Sequence, residues 1–356
     1  MVEYYYGFEI LYKNWRFNMS LKHIAEIAGT SVSTVSRVLN NTSPNCASQE
    51  LKEKIWKAVR ETGYIPNESA RNLKKGKEVQ ISVANIYILL ARIDDLQKDP
   101  FFYELSRCVE TEILKHHGVV KGIFVLEDSL PALSNKDGII ILGRCPNKNI
   151  IEMKKKTKNI IGIWRNPIEE DIDEVVCDGE KAVTIAMEYL FSLGHRQIAY
   201  IGDCSSENRY VGYSSFLIKH KIGLNYDAIF HISQTNENWK KVMESLLQQI
   251  KLKQLLVSAI LCANDIVGIG ILEELNKYPK KVREQISVIS IDDIEKSSMI
   301  SPMLTTVHIP KEEMAHMGVM ILKDHMNGGH KEKVRVEFQG KLMVRDSCQK
   351  LRYDNF

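Results

Sequence analysis

No stretch of the chain is long and apolar enough to cross a bilayer. The longest apolar run, Ile86 to Ala91, has the length of a buried strand and falls far short of the ~20 residues a span needs. No succession of basic, apolar and small residues opens the chain in the manner of a signal peptide. The seven cysteines, at 46, 108, 145, 177, 204, 262 and 348, stand singly, without a C-x-x-C pair. An odd, unclustered set argues against a disulfide framework or a zinc ribbon and for a reducing cytoplasm. Catalytic signatures are missing as well: there is no G-x-x-x-x-G-K-[ST], no H-E-x-x-H and no G-x-S-x-G. Gly268-Ile-Gly270 lacks the third glycine of a dinucleotide fingerprint and reads as close packing inside a helix. His116-His117 and the later histidines 308, 316, 325 and 330 have neither ligand spacing nor cysteine company. No catalytic residue, metal or cofactor is expected, and the chain is not read as an enzyme.

What remains is a soluble, globular composition: 356 residues, 44% apolar and 26% charged, enough for two or three domains with real cores. The net charge of +3 is unevenly placed. Residues 19–77 carry ten Lys/Arg against five Asp/Glu, while Glu3, Glu9, Lys13 and Arg16 cancel, which leaves −2 for residues 78–356. A basic head on a slightly acidic body points to nucleic acid for the head and a different partner for the body.

The first 18 residues are aromatic-rich and follow no helical or strand period. Helical signals begin at Met19-Ser20, so residues 1–18 are expected to be an extension foreign to the working protein, with a docking arm as the alternative. From Ser20 the pattern is sharp. Ser20 can cap a helix over Leu21 to Ala28, with Ile24, Ile27 and Ala28 on one face. Gly29 permits a left-handed turn, and Ser31 can cap a second helix, Val32 to Leu39, with Val35, Val38 and Leu39 inward. A third helix, Ser48 to Thr62, closes the core with Leu51, Ile55, Ala58 and Val59, and Gly63 stops it. Ala25, Gly29, Val35 and Val38 fall where a helix-turn-helix needs a small residue, a turn glycine and two aliphatics. The outer face of the second helix is short and polar (Ser33, Thr34, Ser36, Arg37 and Asn40), as a helix entering a major groove must be. A generic three-helix bundle is the plainer alternative. Residues 66–77, rich in lysine with one isolated large apolar residue, Leu73, are too short to be helical alone in water. They read either as a basic linker or as a hinge that orders on DNA and wedges the minor groove.

The runs LKHIAEIAGTSVSTVSRVLNN and ETGYIPNESARNLKKGK resemble the headpiece and hinge of the lactose/galactose repressor (LacI/GalR) family nearly continuously over residues 20–77. The resemblance implies base contacts from Val32, Ser33 and Arg37 and backbone contacts from Ser31, Thr34 and Asn40. It also implies an intercalating Leu73, with Asn67, Arg71 and Lys74 beside it on the hinge. The loop NTSPNCASQ is longer than the common family spacing and resembles the evolved-β-galactosidase and raffinose regulator branch.

From Val79 short apolar runs alternate with helix-like stretches, the signature of βαβ units and parallel sheets, and about 270 residues suit two similar lobes. Ligands of such sheets sit beyond the carboxyl ends of strands. There lie Asn264-Asp265 after SAILCA, Asp292-Asp293 after ISVISI, Arg209 after QIAYIG, and Trp239 at a helix start. An amide, carboxylates, a guanidinium and a flat ring are the chemistry that holds a sugar. Taken singly, each has a plainer reading: a helix cap, a packed tryptophan, a surface ion pair. DGEKAVTIAMEYLFSLGHRQIAYIG, AILCANDIVGIGILEEL, ISVISIDDIEKSS and SPMLTTVHIPKEEM resemble the effector domain of the same repressors, which is built like periplasmic sugar-binding proteins, two lobes joined by three crossover strands. The resemblance implies that Arg209, Asn264 and Asp292 hold effector hydroxyls and that Trp239 stacks.

The similarity is weaker over residues 80–165, where the unit from Val119 to Asn135 looks shortened and Trp164-Arg165 stand where a family aspartate is frequent. The expected organisation is an extension (1–18), an all-α headpiece (19–65), a hinge (66–77) and a two-lobed α/β domain (78–356). Lobe 1 would take about 78–177 and 310–340, lobe 2 about 178–309 and 341–350. The implied function is a cytoplasmic, dimeric, allosteric repressor that binds a pseudo-palindromic operator and responds to a small sugar, with a galactoside favoured. A non-sugar effector, or DNA binding without ligand control, is the alternative.

Overall fold

The computed structural model describes residues 20–40, 46–64, 84–92, 99–126, 128–166, 171–205, 207–232, 239–252, 256–280 and 285–351. Residues 1–18 and the hinge, with Asn67, Arg71, Leu73 and Lys74, lie outside the described residues.

The head consists of α1 (Leu21–Ala28), α2 (Val32–Leu39) and α3 (Gln49–Thr62). Each begins on a serine whose hydroxyl accepts a free amide of the first turn: Ser20 from His23, Ser31 from Thr34 at 3.1 Å, and Ser48 from Leu51. Gly29 and Gly63 end α1 and α3 in the left-handed region, at φ 65° and 63°. The core holds Ile24, Ala25, Ala28, Val35, Val38, Leu39, Ile55, Ala58 and Val59. Ile27 is not part of it. The side chain is 49% exposed, because Ala25 rather than Ile27 lies on the face that meets α3. Trp56, which the helical pattern of α3 did not single out, is buried among the core residues.

The body comprises β1 (Asn85–Leu90), α4 (Pro100–Lys115), β2 (Val119–Val125), β3 (Gly138–Leu142), α5 (Asn147–Lys154), β4 (Ile160–Trp164) and β5 (Asp173–Cys177). It continues with α6 (Gly179–Ser192), β6 (Ile198–Gly202), α7 (Asn208–Lys219), β7 (Ile229–His231), α8 (Trp239–Lys251), β8 (Ala259–Cys262), α9 (Asp265–Leu275) and β9 (Ser287–Asp292). It ends with β10 (Thr305–His308), α10 (Lys311–Met326), β11 (Arg335–Phe338) and β12 (Lys341–Met343). Two six-stranded sheets result, ordered β11-β5-β4-β3-β1-β2 and β12-β10-β9-β8-β6-β7. The strand pairs β1–β2, β1–β3, β3–β4, β6–β7, β6–β8, β8–β9 and β9–β10 are parallel, and only at β10–β12 is the pairing antiparallel among those with a described register. The central strands GIIIL, IIGIW, AILC and SVISID are buried along their whole length, as strands covered by helices on both faces must be.

The chain forms two compact units: residues 1–163, 170–174 and 315–334, and residues 164–169, 175–314 and 335–356. The head clusters with the first unit. In that unit no helix lies between β2 and β3 among the described residues, consistent with the short segment from Val119 to Asn135. Asp99 caps α4 through Phe101 and Phe102, with Pro100 as its first residue. In the second unit the Gly268 position is packed as the sequence suggested: a Cβ there would meet Leu304 Cδ2 at 3.0 Å and Ser290 Cβ at 3.1 Å. Among the described residues no helix is long and apolar enough to cross a membrane.

Candidate DNA interface and effector site

In α2 the serine cap shapes the exposed face. Ser31 Oγ lies 2.8 Å from Ser33 Oγ and 2.9 Å from Thr34 Oγ1, so three hydroxyls gather at the helix N-terminus, where a phosphate is favoured by the free amides and the dipole. Val32 is 42% exposed, an apolar residue held in solvent by two short polar neighbours. Arg37 lies on the same helix and its Nε donates to the Ser33 carbonyl at 3.3 Å, which lays the guanidinium along the helix surface. Asn40 caps the C-terminus of α2, with Nδ2 donating to the Ser36 carbonyl at 2.8 Å. Ser31, Ser33, Thr34, Arg37 and Asn40 therefore form one polar ridge beside Val32, away from the buried Val35, Val38 and Leu39.

The other face of the head is occupied. Leu114 of α4 joins the head core, and Arg60 of α3 donates to Glu53 at 2.6 Å and to Glu110 of α4 at 2.8 Å. Glu110 is fully buried, and Arg107 Nη1 lies 2.6 Å from its second oxygen without hydrogen-bond alignment. The Arg107 guanidinium also covers the rings of Trp56 and Tyr103, at 5.2 and 5.3 Å. The head is thus seated on α4 through α3, leaving the α2 ridge in solvent.

In the second unit the strand ends carry the residues the sequence pointed to. Arg209, on the first turn of α7, is 1% exposed. Glu207 accepts from its Nε at 3.0 Å and lies 3.0 Å from Nη2, and the Ala263 carbonyl after β8 accepts from Nη1 at 2.5 Å. Burial works against the Arg209 charge, but Glu207 and then Asp292 more than offset it and hold the guanidinium above its usual pKa. Asp292 is the last residue of β9 and nearly buried, and its Oδ1 accepts from Arg165 Nη1 at 2.6 Å. Asn166, next to Arg165, donates to Glu207 at 3.2 Å, and its own Oδ1 is buried without a hydrogen-bond partner. Glycine at 179 makes room for this cluster, because a Cβ would meet Arg209 Cγ at 3.0 Å and Asn166 Oδ1 at 3.1 Å.

Backbone strain marks the same place. Asp292 and Asp293 both have positive φ, 129° and 51°, a costly conformation for non-glycine residues that persists only when surroundings enforce it. Lys311 Nζ enforces it by donating to both carbonyls, at 3.0 and 3.1 Å. His308 and Arg345 clamp the Asp293 carboxylate from two sides, at 2.9 and 2.5 Å. Burial alone would raise the Asp293 pKa, yet these two bonds carry it below the ordinary value.

Not every expected residue serves this arrangement. Asn264 caps α9, its Oδ1 accepting the Val267 amide at 3.0 Å, so the plainer reading accounts for half of its side chain. Its neighbour Asp265 is wholly structural: Ser290, Thr306 and Ser297 hydroxyls and the Ile294 amide all donate to it, within 2.9 Å. Burial nevertheless raises its pKa. Trp239 opens α8, and its side chain lies outside the described residues. Sequence reasoning missed the roles of Glu207, Asn166 and Lys311. Each is an ordinary polar residue in sequence, and only burial singles it out. The site that results is a buried set of two guanidinium–carboxylate pairs with an unpartnered amide oxygen, able to exchange internal bonds for those of a polar small molecule.

Comparison with known proteins gives matching architecture. Residues 20–67 match the model of bacterial regulatory proteins of the lacI family, and residues 187–348 that of a periplasmic binding protein-like domain. The chain is 28% identical over 350 residues to the HTH-type transcriptional repressor PurR of Vibrio campbellii, spanning 93% of this chain and 99% of that protein. It is also 28% identical over 345 residues to the repressor CytR of Escherichia coli, spanning 93% and 97%. In fold it resembles the transcriptional regulator CelR in complex with cellobiose, with TM-score 0.63, 22% identity and coverage of 93% and 100%. It likewise resembles the lac repressor dimer bound to operator and the anti-inducer ONPF, with TM-score 0.61, 22% identity and coverage of 94% and 99%.

Proposed function

The chain belongs to the lacI family of bacterial regulatory proteins, and we propose that it is a cytoplasmic repressor whose grip on a pseudo-palindromic operator is set by a small polar effector. The observation that carries this reading is the α2 ridge: a serine-capped helix with its apolar side buried and Val32, Ser33 and Arg37 on the outer side. Arg37 reads a guanine edge with its fork, Val32 and Ser33 touch neighbouring bases, and Ser31, Thr34 and Asn40 hold phosphates that fix the register. Two copies related by a two-fold axis occupy the two half-sites. The hinge, with Asn67, Arg71 and Lys74 on the backbone, drives Leu73 between base steps. Unstacking costs a few kcal/mol and is recovered only when heads and hinges dock together, so the hinge is the point at which control is cheapest.

Arg209, Asn264 and Asp292 bind the effector, with Trp239 as stacking surface. Because Asp292 already bonds Arg165 and Arg209 already bonds Glu207, ligand hydroxyls enter by taking over those bonds. A change of ~1–3 kcal/mol in the balance of two states is enough to alter operator occupancy by roughly 5–150-fold. Complexes of similar fold with cellobiose and with ribose support a sugar as effector. The presence of Arg165 favours a second reading, in which the effector carries an anionic group that accepts from this guanidinium in place of Asp292. A thermal-shift screen of neutral and acidic mono- and oligosaccharides tests both, since a specific ligand raises stability by mass action. Stabilisation by neutral sugars that Asp292→Ala abolishes supports the first reading, and stabilisation by sugar acids alone supports the second. A chain that no such compound stabilises contradicts effector control by either class.

A further inference from the structure

We propose that Asp173, His325 and His330 form a binding site for a divalent transition ion of the zinc class. His325 and His330 stand five residues apart, but Asp173 lies 152 residues before His325, so the sequence alone does not bring the three together. Asp173 is the first residue of β5, His325 lies in the last turn of α10, and His330 follows after a tight turn. Asp173 Oδ2 is 3.0 Å from His325 Nδ1 and 2.9 Å from His330 Nε2, and the three atoms lie within 4.8 Å of one another. The two rings stand at 79° with centroids 5.1 Å apart, so their nitrogens approach the carboxylate from different directions.

The surroundings hold the donors in place. Asp173 Oδ1 accepts the Val334 amide at 2.9 Å, which leaves Oδ2 as the ligating atom. The remote nitrogen of His330, Nδ1, lies 2.6 Å from Asp324 Oδ2, the outer carboxylate that metal-bound histidines characteristically have. That bond keeps a proton on Nδ1, so an ion that displaces the proton between Nε2 and Asp173 meets the Nε2 lone pair. The turn is built for it. Gly328 takes φ 73°, and a Cβ at Gly329 would collide with the Asp324 carboxylate. A tetrahedral ion at about 2.0–2.1 Å from its ligands needs them about 3.3 Å apart, so the two N···O separations need widen by only about 0.4 Å. His325 and His330 side chains are 28% and 19% exposed, which leaves an entry path and a fourth position for water.

A second trio, Glu112, His116 and His316, is less suited to a cation. Lys115 Nζ already lies 2.6 Å from Glu112, and Lys323 Nζ bonds the His116 carbonyl at 2.7 Å, so two ammonium groups stand beside it.

The test is calorimetric titration of the chelator-treated full chain with zinc chloride. One equivalent is expected to bind, with affinity reduced at least tenfold in His325→Ala and in His330→Ala and unchanged in His316→Ala. Asp324→Asn, which keeps all three ligands, is expected to weaken binding about 10–100-fold. Circular dichroism melts of the variants establish that they are folded. Failure of the folded wild-type chain to bind one equivalent, or binding that survives both His325→Ala and His330→Ala, overturns the assignment. Operator binding is a separate readout, so either result leaves the repressor reading to its own tests.

Discussion

At the scale of single residues, Arg37 and Arg165 separate recognition from stability. Arg37 lies on the outer side of α2 and its loss should not disturb the fold, so Arg37→Ala is expected to weaken operator binding by about 1–3 kcal/mol and random-sequence binding hardly at all. Fluorescence anisotropy on the two DNAs checks this, and an equal loss on both would make Arg37 a phosphate contact. Arg165 is the opposite case. Its removal strips the buried Asp292 carboxylate of this partner, and Arg165→Ala is expected to cost about 3–5 kcal/mol in urea unfolding. His195 carries a pH signature. It is enclosed by Ser258 and the Gln349 carbonyl, each at 2.9 Å, and burial lowers its pKa below 6.5, the Arg196 charge adding to the effect. The unfolded chain therefore binds this proton more readily than the folded one. The stability this group contributes is complete above pH 6.5 and falls as the pH drops below it. His195→Gln should flatten that part of the stability–pH curve, measured by urea melts between about pH 5 and 8. Asp292 and Arg209 could be found from sequence because a strand end announces them. Arg165 also follows a strand, but its role could not be read there, since its partner Asp292 lies 127 residues away.

At the scale of elements, the head was the most legible part. Serine caps, turn glycines and the helical period are local signals, and α1, α2 and α3 follow them closely. Gly29 gives a clean test, because its φ of 65° favours glycine while a Cβ added there would meet nothing within 4 Å. Gly29→Ala should therefore cost about 1–2 kcal/mol through backbone strain alone, visible as a lowered midpoint in thermal unfolding. Ile27 shows where local pattern fails. Periodicity places it near the inner face, but which side of an eight-residue helix is covered depends on the helix packed against it. The strands were legible for a different reason, since parallel strands between two helical layers are apolar throughout. The absence of a helix between β2 and β3 among the described residues was visible only as a shortened interval, and what the segment forms instead had no local signature.

At the scale of the whole molecule, the seating of the head on α4 had no counterpart in the sequence pattern. Arg60, Glu110 and Arg107 are ordinary helix-surface charges until the fold buries them together around Trp56. Glu110→Ala takes from two guanidinium groups the carboxylate they share. In scanning calorimetry the head is expected to unfold at a lower temperature, as a transition separate from that of the body. The division of charge between a basic head and an acidic body fits this arrangement, because the ridge of α2 stays in solvent while α3 is held. On this account the ridge reads DNA under the control of a ligand bound in the second unit. Anisotropy titration with an operator chosen by in vitro selection, with and without a stabilising saccharide, tests that most directly. The predicted result is binding about a thousandfold or more tighter than to scrambled DNA at physiological salt, changed roughly 5–150-fold by the saccharide. Equal affinity for operator and scrambled DNA would contradict it.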